Sequence, residues 1–342
     1  MLKTRITEMF GVETPLVMGG MTGVGYGELV AAVANAGALG FITAHMFKTA
    51  EDLHAEIAKT RELTDKPFGV NLTLLPSLNP IPYDEYRRAI IESGIKIVET
   101  AGRSPIEHLP DFKANGVKVI HKCTSARHSV TAARLGVDVI SIDGFECAGH
   151  PGEDDVTLMV LLPATVDQVD IPVIASGGMA DGRSLIAALA LGADGVNMGT
   201  RFMATKESGI HHNVKQGIVD NSERDTILIN RTLRNTSRVA RNAISEEVSR
   251  IQQDTSKTIE DVRDLVAGVR GRANVMVGGD LDGGIWSAGQ SQGLIHDIPT
   301  CAELVRNIMR QANEIIDARL DRMAAGGNAA SAKVERAKEA AE

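Results

Sequence analysis

Residues 117–143 read VKVIHKCTSARHSVTAARLGVDVISID, and this stretch decides the fold. An apolar run at 117–121 gives way to a segment of helical period at 125–135, Gly136 stands at its end, and a second apolar run at 137–142 follows at once. Short apolar runs rich in β-branched residues read as buried strands, so the stretch is a βαβ unit with parallel strands. Working outward, similar runs occur at 15–18, 38–43, 68–73 and 96–99 on one side and at 172–175 and 195–198 on the other. Helical spacing fills 26–36, 50–63, 83–93 and 182–191, and Gly37, Gly94, Gly116, Gly136 and Gly192 mark helix ends, the place of the left-handed closing residue. Eight strands in this rhythm predict an α/β fold, a (β/α)8 TIM barrel.

The composition agrees. Among 342 residues, hydrophobic side chains make 43% and aromatic ones only 3%, so the core rests on Ala, Val, Ile, Leu and Met, as parallel strands and helices favour. Lys plus Arg number 36 against 44 Asp plus Glu, a net charge of −8 that gives no basic field for nucleic acid. Three cysteines without CxxC spacing write neither a disulfide framework nor a zinc site. The first residues lack an apolar signal region, and no apolar run reaches the roughly 18 residues of a membrane span. A cytoplasmic protein without a membrane span is expected. The barrel is expected over 1–204, a polar helical cap or insertion over 205–297 with helices near 245–251 and 259–269, a C-terminal helix over 298–323, and a flexible tail over 324–342.

Barrel active sites lie at the C-terminal ends of the strands, which directs attention to the residues after each run. The loops after strands seven and eight carry Ser176, Gly177 and Gly178, then Gly199 and Thr200. Glycine amides converging there, without side chains in the way, suit a phosphate group. Lys122 ends strand five and Asn71 lies in strand three, where a fixed charge at the mouth could stabilise an electron-rich ring or oxyanion. His150, in the loop AGHPGEDD, is the candidate acid–base, whereas His121 is expected to point into the helix layer. The run Glu153, Asp154 and Asp155 lacks a second ligand cluster and reads as a solvated helix N-terminus, so no metal is assigned. Cys147 reads as a small buried thiol. On the residues alone the leading reading is a phosphorylated ligand at the barrel mouth, which a phosphate-binding lyase or isomerase with Lys122 as a Schiff base would also satisfy.

In order along the chain, PLVMGGM, GVNLTLLP, VIHKC, SIDGFECAGHPGEDD, ASGGMADGR, LGADGVNMGTRF and GIWSAGQSQGLI resemble the nitronate monooxygenase (2-nitropropane dioxygenase-like) family of FMN-dependent barrels, over nearly the whole chain to about Arg322. The wording ECAGHPGED is more typical of the bacterial NADH:quinone reductase branch than of enzymes reading EAGGH. The resemblance implies bound FMN, with its phosphate on Ser176, Gly177, Gly178, Gly199 and Thr200. Its ring and ribityl chain would contact Gly20, Met21, Thr22, Asn71, Thr73, Lys122, Asp143, Ala148 and Gly149, with His150 over the ring. NADH would be the co-substrate and a quinone the acceptor; nitronates with oxygen, and an enoyl thioester, are the alternatives within the class. A homodimer is compatible with this reading. Residues 75–82, stiffened by three prolines, resemble a lid. Met18 stands where the family usually carries glutamine, which implies an altered contact near the flavin, and Leu78 and Thr22 replace longer polar residues.

Overall fold

The computed structural model describes residues 2–74 and 81–324. The expected lid over 75–82, Leu78 included, falls largely on residues outside that set, and so does the tail beyond Ala324. Eight parallel strands close a barrel in sequential order: β1 (Leu16–Met18), β2 (Leu39–Thr43), β3 (Gly69–Leu74), β4 (Ile97–Gly102), β5 (Lys118–Cys123), β6 (Val139–Asp143), β7 (Val173–Ser176) and β8 (Gly195–Asn197). Pairing of β1 with β8, Leu16 opposite Val196, completes the circle. The five expected helix-end glycines all have positive φ, between 66° and 98°.

Side chains alternate along each strand between the barrel interior and the helix layer. Inward positions near the strand starts are apolar: Val17, Leu39, Phe41, Ile97, Ile120, Val139 and Ile174 form one cluster with Ile6, Phe10 and Val12. Helix α1 (Arg5–Phe10) thereby plugs the N-terminal end of the barrel. The outward positions belong to a larger core shared with α2 (Gly27–Asn35), α3 (Ala50–Leu63), α4 (Tyr83–Glu92), α5 (Leu109–Ala114), α6 (Ala126–Leu135), α7 (Leu158–Val166) and α8 (Gly182–Ala190). Met18 is fully buried in that outer core, so it faces the helices rather than the barrel mouth. His121 is also outward, as expected, with its Nδ1 2.8 Å from the Thr100 hydroxyl.

The eighth helical place in the ring is filled late. The C-terminal helix, Cys301–Glu314, packs against α8 and α2. A Cβ on Gly182 would lie 2.6 Å from Ile308 O and Ala312 N, so glycine permits this close crossing. The chain between β8 and that helix forms the cap. It contains the expected amphipathic helices, Ala243–Ile251 and Ile259–Val266, but also an antiparallel hairpin, β9 (Thr226–Ile229) and β10 (Ser237–Ala240), in a region read as helical. Among the described residues no helix is long and apolar enough to cross a membrane.

Candidate active site

Toward their C-terminal ends the same inward rows turn polar, with Asn71, Glu99, Lys122, Asp143, Ser176 and Asn197 around the barrel mouth. Above them lies a cavity of about 870 Å³, within the range of small-molecule sites. Every expected site residue lines it except Asn71. Asn71 is 2% exposed and sits beneath the first loop, where a Cβ on Gly20 would collide with it. Its amide nitrogen donates to Glu99 Oε1 at 2.7 Å, and its oxygen accepts from the Thr73 hydroxyl at 2.8 Å. The Gly20 N–H donates to the same Glu99 oxygen at 2.9 Å, while the Gly19 N–H donates to Asn197 Oδ1 at 2.8 Å. Two side chains absent from the sequence reading, Glu99 and Asn197, therefore fix the loop after β1.

Glu99 is 1% exposed, and its Oε2 has no hydrogen-bond partner, with Lys122 Nζ 3.8 Å away. Burial pushes the Glu99 carboxyl upward, opposed by Lys122, the Gly20 amide and Asn71. For Lys122, burial works to lower the pKa, but Glu99 and Asp143 outweigh it and keep the amine charged. Asp143 Oδ1 is likewise buried without a partner at the cavity wall.

Ser176 pairs with Asp143 on one side and Asn197 on the other, which brings the ends of β6, β7 and β8 together. Gly177 and Gly178 follow with φ of 93° and 73°, a left-handed pair that turns the backbone over the mouth. A Cβ at Gly177 would approach Cys147 Cβ to 3.1 Å. Thr200 is buried, and its hydroxyl accepts from the Gly289 N–H of the cap at 3.0 Å, leaving its proton to donate. The first amide of α8 is not open to a ligand, because Gly182 N–H donates to Gln311 Oε1 at 2.8 Å.

His150 projects from the long loop between β6 and α7 onto the cavity. The side chain is exposed to the cavity, and desolvation by the cavity wall lowers its pKa from the ordinary 6.5, partly opposed by Glu153, so the neutral imidazole, able to accept a proton, predominates at pH 7. The loop is held to the cap. Gly149 and Arg238 exchange backbone hydrogen bonds at 3.0 and 2.6 Å. The buried Arg238 guanidinium donates to Phe145 O and Thr226 Oγ1 and lies 4.5 Å from the Phe145 ring centroid. Glu153 accepts from the Thr236 N–H and hydroxyl, and Asp155 makes a two-bond pair with Arg231. The acidic run thus anchors the hairpin rather than forming a solvated helix start, and Glu146 receives the first amide of α7, from Leu158, at 3.0 Å. No acidic or His/Cys cluster fit for a metal occurs among the described residues. Burial pushes the Cys147 thiol well up, which removes it as a nucleophile.

The roof was not legible from strand ends. It is built from Met276, on a π-helical turn at Gly271–Val277, and from Trp286, whose indole N–H donates to Leu281 O at 3.3 Å. Arg234 and Arg272 also face the space, and Thr22, which lines it too, meets His45 Nε2 at 2.9 Å.

The sequence profile of the nitronate monooxygenase family matches residues 3–311. The chain belongs to the nitronate monooxygenase family. Among relatives, a Rhodococcus jostii protein named (3aS,4S,5R,7aS)-5-hydroxy-7a-methyl-1-oxo-octahydro-1H-indene-4-carboxyl-CoA dehydrogenase is 36% identical, over 93% of this chain and 98% of its own. A probable nitronate monooxygenase of Staphylococcus saprophyticus is 32% identical, over 92% and 99%. The solved FabK of Thermotoga maritima superimposes with a TM-score of 0.85 at 36% identity, over 93% of this chain and 98% of that one. As a member of the nitronate monooxygenase family, the chain is an oxidoreductase of barrel type.

Proposed function

We propose that the chain is an FMN-dependent oxidoreductase that accepts hydride from NADH and passes the electrons to a second substrate beneath His150. The observation that carries this reading is the pair Gly177–Gly178, both left-handed, directly after Ser176 and beside Gly199 and Thr200 at the mouth of the 870 Å³ cavity. Backbone there approaches the space without side chains, which suits a phosphate. The unpartnered Asp143 Oδ1 fits the same ligand, because a buried carboxylate oxygen needs a donor and the ring system of a flavin offers N–H groups. FMN would supply reversible two-electron chemistry, while the protein orients it and governs protons. Ser176, Gly177, Gly178, Gly199 and Thr200 would hold the phosphate. Gly20, Met21, Thr22, Thr73, Lys122, Asp143, Ala148 and Gly149 would line the ring and chain. Asn71 would act from below through Glu99. His150, neutral and facing the cavity, would accept or return a proton at the substrate.

For the second substrate, the wording ECAGHPGED supports a quinone. A second reading, redox chemistry on a CoA ester, is favoured by the Rhodococcus relative named for a carboxyl-CoA compound, and Arg234 and Arg272 at the cavity offer fixed cations to an anionic carrier. The test is an anaerobic titration of the purified protein followed by flavin absorbance. Bleaching by NADH with recovery on benzoquinone is the expected result. Recovery only with an enoyl-CoA selects the second reading, bleaching by propyl nitronate alone selects nitronate oxidation, and a colourless protein overturns the flavin assignment. Gly178→Val, which forces a β-branched residue to φ near 73°, should purify folded but without FMN, as read by circular dichroism and visible absorbance.

A further inference from the structure

Transfer of a hydride to a bound flavin delivers two electrons and one proton, so the site gains one negative charge unless a second proton follows. Where that proton goes is a question for the buried groups of the barrel mouth, and Glu99 answers its requirements. It is 1% exposed, and it lies below the first loop rather than on the cavity wall. Its two oxygens differ: Oε1 receives the Gly20 and Asn71 N–H groups at 2.9 and 2.7 Å, whereas Oε2 has no hydrogen-bond partner. Carboxylates buried in proteins normally have all their lone pairs engaged, so an idle oxygen marks a place to bind a proton.

The charges around it set the response. Lys122 from β5 faces Glu99 at 3.8 Å, and Asp143 from β6 adds a like charge. Gly20 and Asn71, from the loop after β1 and from β3, contribute only neutral donors. The Lys122 cation, the Gly20 amide and Asn71 favour ionised Glu99 against the cost of its burial. A new negative charge above Lys122 would compete for that cation and favour neutral Glu99.

We propose that Glu99 is the group that takes up the compensating proton when the bound flavin is reduced, a positioning and charge-balancing role that rests on the flavin reading above. The step would balance: hydride from a nicotinamide would bring the flavin two electrons and one proton, and the Glu99 carboxylate would bind one further proton drawn from solvent. Lys122, whose side chain is 20% exposed and lines the cavity, stands between cavity water and Oε2; from 3.8 Å its Nζ would have to close to hydrogen-bond distance, or a water bridge the gap, to pass that proton on. Neutral Glu99 would then leave Asp143 as the remaining carboxylate acting on the Lys122 ammonium, freeing more of its charge to face the cofactor.

The experiment measures the midpoint potential of the flavin-loaded protein against pH between 6 and 8, in mediator solution without substrate. The wild type should take up two protons per two electrons, and Glu99→Gln, an isostere that cannot ionise, should take up one. Infrared difference spectra of reduced minus oxidised wild type should show the carbonyl stretch of a buried carboxylic acid appearing on reduction, absent in Glu99→Gln. A wild type that takes up one proton, a Glu99→Gln variant that keeps two, or no new carboxylic acid band overturns the proposal. If the variant fails to fold, the infrared band in the wild type decides alone. Protein that purifies without flavin refutes the flavin reading instead, which keeps the two failures apart.

Discussion

The two ends of the barrel are built on the same inward-facing rows of the same strands, yet they differ completely. On β4 the row runs Ile97 then Glu99, on β5 Ile120 then Lys122, on β7 Ile174 then Ser176, so one step of two residues turns an apolar floor into a polar mouth. The floor, closed by α1, is dry and has one way to pack. The mouth holds a lysine and two carboxylates, with buried oxygens left unpartnered on Glu99 and Asp143. Groups of that kind destabilise a fold unless something else satisfies them, which is the signature of a site arranged around a ligand. Stability and function are thus separated along 3.3 Å-per-residue strands by roughly two residues.

If this separation is real, substitutions at the two ends should move different observables. The largest expected effect is at the floor. Phe41→Ala, removing a fully buried ring, should lower unfolding free energy by about 3–5 kcal/mol in denaturant titrations while leaving the visible spectrum of bound cofactor in the surviving folded fraction unchanged. At the mouth the order reverses: His150→Ala should leave thermal stability nearly untouched and reduce kcat/KM by roughly 10²–10⁴-fold. The wild-type profile of kcat/KM should fall on the acid side, with its inflection below the ordinary histidine value of 6.5, because the protein surroundings disfavour the imidazolium and a protonated ring cannot act as base. A normal rate in the alanine variant would remove His150 from the mechanism.

Much of this architecture was legible because it is repetitive. Five of the eight strands announce themselves as a short apolar run after a helix-closing glycine, and Ser176–Gly178 and Gly199 follow from the barrel rule alone. Glu99 was missed because the run 96–99 was closed at Glu99 itself; carried on to Gly102, the two-residue period places 97 and 99 on the inner face. The same period, applied to Val17, would have turned Met18 outward. The hairpin escaped for another reason. Its strands have four residues each, and its turn takes left-handed Asn230 and Arg234 in place of the glycine that usually signals one. The clamp made by Arg238 then depends on residues 93 positions apart, which no local pattern encodes.

The inner and outer faces of β5 allow a finer cut. Lys122 faces the mouth, and its neighbour His121 faces the helices at 6% exposure with a pKa lowered to about 4 by burial, reinforced by His128. A histidine that must stay neutral when folded binds its proton more readily when unfolded. Stability should therefore be complete above the unfolded value of 6.5 and decline as pH falls toward 4, by about 3 kcal/mol for this residue. His121→Gln, tracked by urea midpoints at pH 7 and pH 5, should lose less on acidification than the wild type. An equal loss would mean that other groups carry the acid sensitivity.

The smallest effect is expected where the loop of His150 meets the hairpin at the solvent. Asp155 and Arg231 form a two-bond ion pair at 2.7 and 2.9 Å, but both side chains are 44% exposed, so screening keeps its contribution to about 0–1 kcal/mol. Asp155 also holds φ at 53°, a left-handed conformation that aspartate tolerates and alanine resists. Asp155→Ala should therefore cost the pair and add backbone strain, for a loss of about 1–2 kcal/mol. Asp155→Gly removes the same pair but relieves the strain, against a more flexible unfolded chain, and should come out near zero. Because Gly149–Arg238 and Glu153–Thr236 still join loop to hairpin, neither variant should change kcat/KM by more than about fivefold, the equivalent of 1 kcal/mol. A large kinetic loss in the glycine variant would show instead that His150 is aimed by this single surface pair, and that the site extends past the barrel mouth into the cap.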